Sequence, residues 1–348
     1  MASTIYDVAK KAGVGVGTVS RAINNSPHIR PETKVRILNV IKELGFTPHS
    51  GAKRLSARKL GIIAAIMPFY TGHFFQELLS GIQQVLTEYE NDLIIYNVEK
   101  TSKVSFFFDR VLREKRADGL LAISIDIPDE YIEKFASTRL PIVAVDREYD
   151  QLNSVLVNNV GGAKKAVEHL LELGHKRIAM IAGEKNSIPG ISRYQGYRQA
   201  LQDAGIAFDP TLHITANAFP DDIESMSSDG YNARVGWLAM EVFNRMGEDR
   251  PTAVFAGSDI QAIGAIKYAR EHGILIPEDL AIIGFDDIEL SSYLSLTTMQ
   301  QPMREMGRAA VQIIMDKIEH GTKDIRHVIL KTRLCVRGST QKGTSQGF

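Results

Sequence analysis

From residue 60 onward the chain repeats one pattern: a short apolar run, an amphipathic stretch, then another apolar run. The runs lie at 60–67, 93–98, 119–125, 141–145, 154–157, 177–182, 252–256 and 280–285. Helical spacing fills most of the gaps, at 75–89, 161–173, 193–204, 259–271 and 303–320. Such alternation predicts an α/β fold of parallel sheets with helices on both faces, because a parallel neighbour needs a crossover that a helix supplies. This many strands is large for one open sheet, so two lobes joined by crossovers are expected. The acidic, aperiodic stretch 215–230 reads as a long surface loop.

The first 60 residues follow a different rule. Thr4-x-x-Asp7 has the form of a capping box opening a first helix, with Tyr6, Val8 and Ala9 available to a core. Gly13 ends that helix and a second begins near Val16. Val19 and Ile23, one turn apart, would pack, leaving Gly17, Thr18, Ser20 and Arg21 outside. A short helix presenting small polar groups and one arginine suits the major groove of B-DNA. Pro31 opens a third helix whose expected buried face is Val35, Leu38, Ile41 and Leu44, with Gly45 as its stop. Residues 46–59 are cationic and poor in apolar groups, and read as a linker with a short helix over 50–55. The run Gly13-Val14-Gly15-Val16-Gly17-Thr18 imitates a phosphate-binding loop, but a helix precedes it where that loop needs a strand.

Charge supports a nucleic-acid partner. The net charge of the chain is zero, yet residues 1–60 hold 11 Lys and Arg against 3 acids, a net of +8 balanced by −8 in the remainder. A basic head on an acidic body points to DNA at one end and another ligand at the other. The single cysteine, Cys335, rules out an intrachain disulfide framework. The N-terminus shows no signal-peptide pattern and no apolar run is long enough to span a bilayer, so a cytoplasmic protein with no membrane partner is expected.

In open α/β sheets ligands bind beyond the carboxyl ends of strands. Polar residues gather at those places: Asp146, Gly183-Glu184, Ser258-Asp259 and Asp286-Asp287, with Arg193 opening a helix and Phe74-Phe75 after the first sheet strand. Carboxylates accept from hydroxyls, arginine donates in pairs and rings cover an apolar sugar face, so this set suits a polyhydroxylated ligand. Asp259 equally suits a helix cap, Asp287 a turn, and Asp146-Arg147 a local ion pair. No nucleophile elbow, HExxH, paired CxxC or Walker loop is present, so an enzyme, a metal site and a cofactor are not expected.

Tyr6-Asp7-Val8-Ala9, Ala12-Gly13-Val14, Thr18-Val19-Ser20-Arg21, Pro48 with Ala52-Lys53-Arg54-Leu55, and Gly284-Phe285-Asp286-Asp287 resemble the LacI/GalR family of transcriptional repressors. The resemblance runs from Thr4 to Arg337-Gly338-Ser339-Thr340. It implies a helix-turn-helix head over 1–47, a hinge over 48–59, and a two-lobed periplasmic-binding-protein-like core over 60–340. Lobe 1 would comprise about 60–159 and 290–321, and lobe 2 about 160–289 and 322–340. Val16, Gly17 and Arg21 fall where the family's recognition helix meets base edges, and Thr18 and Ser20 fall near phosphates. Thr4, Tyr6, Asn24 and Lys53 complete the implied DNA contacts, and Arg30, where a serine is the family's norm, is expected on a phosphate. Ala52 and Leu55 match a hinge helix that enters the minor groove, the leucine wedging a central step.

The same resemblance places Phe74, Asp146, Asn158, Arg193, Ser258, Asp259 and Asp286 at the effector pocket and Gln301 near the strands joining the lobes. Asn158 stands where an acid often precedes Asn159. The implied function is a repressor that binds a palindromic double-stranded operator as a homodimer under control of a sugar or sugar derivative. A purine or phosphoprotein co-regulator is the alternative within the family, and a sugar-binding module without DNA function the alternative outside it. The tail after Ser339 lacks apolar heptads, so a dimer is expected rather than a coiled-coil tetramer.

Overall fold

The computed structural model describes residues 3–23, 26, 28–46, 59–68, 72–98, 104–219, 230–322 and 324–341. The readings at Asn24, Ala52, Lys53 and Leu55, and most of the acidic 215–230 stretch, lie outside the described residues.

Among the described residues the head has three helices, α1 (Ile5–Ala12), α2 (Val16–Ile23) and α3 (Pro31–Leu44). Thr4 caps α1 through a complete capping box, Asp7 N–H donating to Thr4 Oγ1 at 3.3 Å and Thr4 N–H to Asp7 Oδ2 at 2.8 Å. The Thr4 hydroxyl, donating to Asp7 Oδ2 at 2.7 Å, and then the Thr4 N–H hold the Asp7 carboxyl below the usual range. Gly13 and Gly45 end α1 and α3 in the left-handed conformation, at φ 63° and 59°. Val8, Ala9, Ala12, Val19, Ala22, Ile37, Val40 and Phe46 form the core.

Two expectations fail here. Tyr6 is 72% exposed rather than buried, and Val35 and Leu38 are 57% and 44% exposed. The stripe of α3 that packs is Ile37, Val40, Ile41 and Leu44. A strict three-residue spacing rotates by about 60° per step around a helix, so Val35 and Leu44 cannot share a face.

Among the described residues the body has two six-stranded sheets. The first joins β1 (Ile62–Met67), β2 (Asp92–Asn97), β3 (Gly119–Ile123), β4 (Ile142–Val145), β5 (Asn153–Val157) and β11 (His327–Leu330), in the order β11-β5-β4-β3-β1-β2. The second joins β6 (Ile178–Ala182), β7 (His213–Thr215), β8 (Ala253–Ala256), β9 (Ala281–Asp286), β10 (Thr297–Gln300) and β12 (Arg333–Cys335), in the order β12-β10-β9-β8-β6-β7. The pairs β1–β3, β3–β4, β4–β5 and β5–β11 are parallel, as are β6–β7, β6–β8, β8–β9 and β9–β10. Only the β10–β12 pair is antiparallel among the registered pairs. Every residue of β3, β4, β6 and β8 is buried, the signature of strands covered on both faces.

Helices α4 (His73–Glu88), α5 (Val104–Glu114) and α6 (Asp129–Ser137) follow strands of the first sheet. Helices α7 (Asn159–Glu172), α8 (Ile188–Asp203), α9 (Ala233–Asn244), α10 (Asp259–Glu271) and the short α11 (Glu289–Tyr293) belong with the second. Helix α12 (Met303–His320) packs its Met306, Ala310 and Ile314 into the core of the first sheet. The chain therefore passes between lobes after β5, after β10 and between β11 and β12. That corrects the expected boundaries: 290–300 stays with lobe 2 because β10 pairs with β9, and 322–330 returns to lobe 1 because β11 pairs with β5.

Candidate functional site

The head presents one polar face. Gly17 and Arg21 are exposed on α2, Val16, Thr18 and Ser20 are half-buried, and Val19 and Ala22 face the core. Arg21 Nε donates to the Gly17 carbonyl at 3.2 Å, which lays its guanidinium along the outer face of the helix. No acid occupies the first turn of α2, so the helix offers a polyanion donors and a cation without opposing charge. Thr4 and Tyr6 are exposed on the adjoining α1 segment. Arg30 is exposed at the N-cap position of α3, where its guanidinium, having no acceptor, cannot cap the helix.

In the second lobe the structure gathers a polar cluster around Arg193. Arg193 is 4% exposed, with the guanidinium 3.9 Å from the centroid of the Phe285 ring and 5.6 Å from that of Tyr231. Nε donates to Asn159 Oδ1 at 2.9 Å and Nη1 to the Gly257 carbonyl. Two of the five guanidinium N–H groups are thus committed to positioning it, while Nη2 stands 3.9 Å from Asp286 Oδ1. Gln301, 7% exposed at the crossing after β10, donates its side-chain amide to Asp286 Oδ1 and its backbone N–H to the Asp286 carbonyl at 3.2 Å. Arg193, Asp286 and Gln301, all singled out from the sequence, meet here. Asn159, Tyr231, Phe285 and Gly257 join them and were not singled out from the sequence.

Asp287 turns the other way. Arg337 donates to its Oδ1 at 2.7 Å and Gln300 to its Oδ2 at 2.8 Å, so it holds the turn after β9. Asp259 is fully buried and accepts from Ser291 Oγ at 2.6 Å, from Thr298 Oγ1 and from Ile288 N–H at 3.0 Å. Burial pushes its carboxyl above the usual range despite these donors. Ser258 is the N-cap of α10, accepting from Gln261 N–H at 3.2 Å, and Asn158 is the exposed N-cap of α7, accepting from Gly161 N–H at 2.8 Å.

The first lobe supplies its own set at its strand ends. Asp146, 7% exposed after β4, accepts from Ser124 Oγ at 3.2 Å, and Ser124 lies just after β3. Arg147 pairs with Asp126. Phe74 and Phe75, at the start of α4, meet edge to face with centroids 5.2 Å apart, both partly buried against the core. Ser124, Asp146, Asp286 and Asp287 all have positive φ, at 49°, 68°, 129° and 60°. Each such residue costs of order 1–3 kcal/mol. All four lie at the carboxyl ends of strands, the end at which open α/β sheets take ligands in general.

Comparison with known proteins closes on the same picture. The family model described as "Bacterial regulatory proteins, lacI family" matches residues 4–49, and that of a periplasmic binding protein-like domain matches residues 167–340. The chain is 33% identical over 98% of its length to the HTH-type transcriptional regulator DegA of Bacillus subtilis (strain 168), covering 98% of that protein. Among solved structures, a complex of the transcriptional regulator CelR with cellobiose is 30% identical, with a TM-score of 0.70 over 97% of this chain and 99% of that one. The lac repressor dimer bound to operator and an anti-inducer shares the fold, with a TM-score of 0.84 at 24% identity over 98% of this chain and 99% of that one.

Proposed function

The chain belongs to the LacI family of bacterial regulatory proteins, and from that premise we propose that it is a cytoplasmic transcriptional repressor rather than an enzyme. It binds a palindromic operator as a homodimer and is controlled by a sugar or sugar derivative held between its lobes. The head over 1–47 reads the major groove through Val16, Gly17 and Arg21. The hinge over 48–59 places Ala52 and Leu55 in the minor groove, and the core over 60–340 takes the ligand.

The observation that carries the ligand reading is the buried guanidinium of Arg193, held beside Asp286, which Gln301 grips from the crossing after β10. A hydroxylated ligand that accepts from Arg193 and donates to Asp286 competes directly for the group that Gln301 holds. Binding at the strand ends therefore bears on a segment joining the lobes. Such a ligand acts only by binding one lobe arrangement better than the other. Tyr231 and Phe74 offer ring faces to the apolar side of a sugar.

The experiment is selection of duplex DNA from a random pool by the full-length protein, followed by a thermal-shift screen of sugars, sugar phosphates and purines. Recovery of an inverted repeat whose affinity falls steeply with salt supports a dimeric repressor. Ligand stabilisation without any DNA selection would make the protein a binding module instead.

A further inference from the structure

Gln261 is fully buried in the first turn of α10, two residues beyond Asp259. Its side-chain nitrogen donates to the carbonyl of Ala182 at 3.1 Å and to that of Gly230 at 2.9 Å. Both partners are acceptors, which fixes the amide's orientation: turned over, it would aim its oxygen at two carbonyl oxygens. The side-chain oxygen is buried and has no hydrogen-bond partner among the described residues. It lies 3.2 Å from the point a Cβ on Gly257 would occupy, and Tyr231 Cε1 lies 3.3 Å from that same point.

Each group that Gln261 touches belongs to the framework of the Arg193 cluster. Ala182 ends β6. Gly230 immediately precedes Tyr231, has φ +84°, and leaves only 2.2 Å between a hypothetical Cβ and the Ala216 side chain. Gly257 gives its carbonyl to Arg193. A buried polar side chain with one unsatisfied atom is costly, and an apolar residue would fill the same space without that cost. Its two donated bonds are what an apolar residue would not supply.

We propose that Gln261 is a positioning residue of the ligand cleft: by tying the Gly230 carbonyl to the end of β6 it holds the Tyr231 ring beside Arg193. This rests on the reading of Arg193 and Tyr231 as ligand contacts. Gln261 itself touches no ligand. It decides which face of the tyrosine a ligand meets.

The test uses the full-length Gln261→Met protein, with Gln261→Leu as a second variant of similar bulk. Two local readouts are measured without any ligand: nitration of Tyr231 by tetranitromethane, followed by peptide mass spectrometry, and amide hydrogen exchange over 230–233. Loss of the tie is expected to speed nitration roughly threefold and exchange about tenfold, with peptides of α7 and of the head unchanged. Wild-type rates at both places would overturn the proposal. So would exchange that rises evenly through the second lobe, or two variants that yield no folded protein, since either assigns Gln261 to the core alone. If the local release occurs but no sugar, sugar phosphate or purine binds, the ligand reading fails, and what stands is the tie by which Gln261 places Tyr231.

Discussion

Replacing Arg193 by Met is expected to separate ligand control from folding. Arg193 is 4% exposed, and its guanidinium donates to Asn159 at 2.9 Å and to the Gly257 carbonyl and stacks 3.9 Å from the Phe285 centroid. Each charged hydrogen bond contributes about 1.5–3 kcal/mol and the desolvated stacking about 2 kcal/mol. Against them stands the desolvation of a buried cation, several kcal/mol in itself, which methionine does not incur. The thioether chain also keeps its contact with Phe285. Methionine also leaves Asn159 Oδ1 and the Gly257 carbonyl without their donor, about 1–3 kcal/mol each, so the unfolding free energy should fall by about 2–4 kcal/mol.

Ligand binding has no such compensation. Losing two charged donors to a ligand oxygen costs about 3–6 kcal/mol, which weakens the dissociation constant by about a hundredfold to ten-thousandfold. Urea unfolding measures the first quantity, and isothermal titration with a ligand found by the thermal-shift screen measures the second. DNA affinity without ligand should stay within about twofold, because Arg193 belongs to the ligand-binding core and not to the head. A variant that still binds ligand normally, or one that loses stability and DNA binding together, would refute the reasoning.

Arg21→Ala should weaken specific DNA binding by about 1–3 kcal/mol in a gel-shift titration without altering the fold; undiminished discrimination between selected and random duplex would remove Arg21 from base reading. Burial, then the charges of Lys185 and Arg198, push the His213 imidazole down to about 4 from 6.5. The unfolded chain therefore takes up the proton first. Neutral His213 contributes stability that is present above pH 6.5 and is lost as pH falls toward 4, at most about 3 kcal/mol. His213→Phe keeps the stack on Tyr194, 4.4 Å between ring centroids, and should lose this part of the pH dependence in denaturant melts at pH 7 and 4.5; equal dependence would refute it. Gly236→Ala would drive a methyl to 1.9 Å from the Gln261 carbonyl oxygen where α9 and α10 cross. It should cost about 3 kcal/mol in a urea melt, and a cost well below about 1 kcal/mol would contradict the close crossing.

The α/β body was legible because buried parallel strands are continuous apolar runs, and all eight runs between 60 and 285 became strands. The strands that escaped notice are those that periodicity cannot reveal. β7 is three residues that run into the stretch read as a surface loop, where Thr215 and Ala216 are buried. The other three are β10, which reads TTMQ, β12, also three residues long, and β11, an edge strand with alternate residues exposed. Their pairings place the lobe crossings, so the crossings were misplaced with them. Arg193 and Asp286 were singled out because strand ends and the polar residues after them are visible in sequence, and Gln301 by the family resemblance alone; Arg193, read as opening a helix, is the sixth residue of α8. Asn159 and Tyr231 were not, because what marks them is contact with Arg193, 34 and 38 positions away. Gln261 looks like an ordinary polar residue of a helix, and only its two carbonyl partners distinguish it.

The affinity of the full-length protein for its selected inverted repeat, measured at fixed salt with and without each candidate ligand, bears most directly on ligand control of DNA binding. At least one sugar or sugar derivative should change that affinity by about tenfold or more, an effect of about 1.4 kcal/mol, and Arg193→Met should abolish the change. DNA affinity that no ligand alters, or that a ligand alters equally in Arg193→Met, would contradict it.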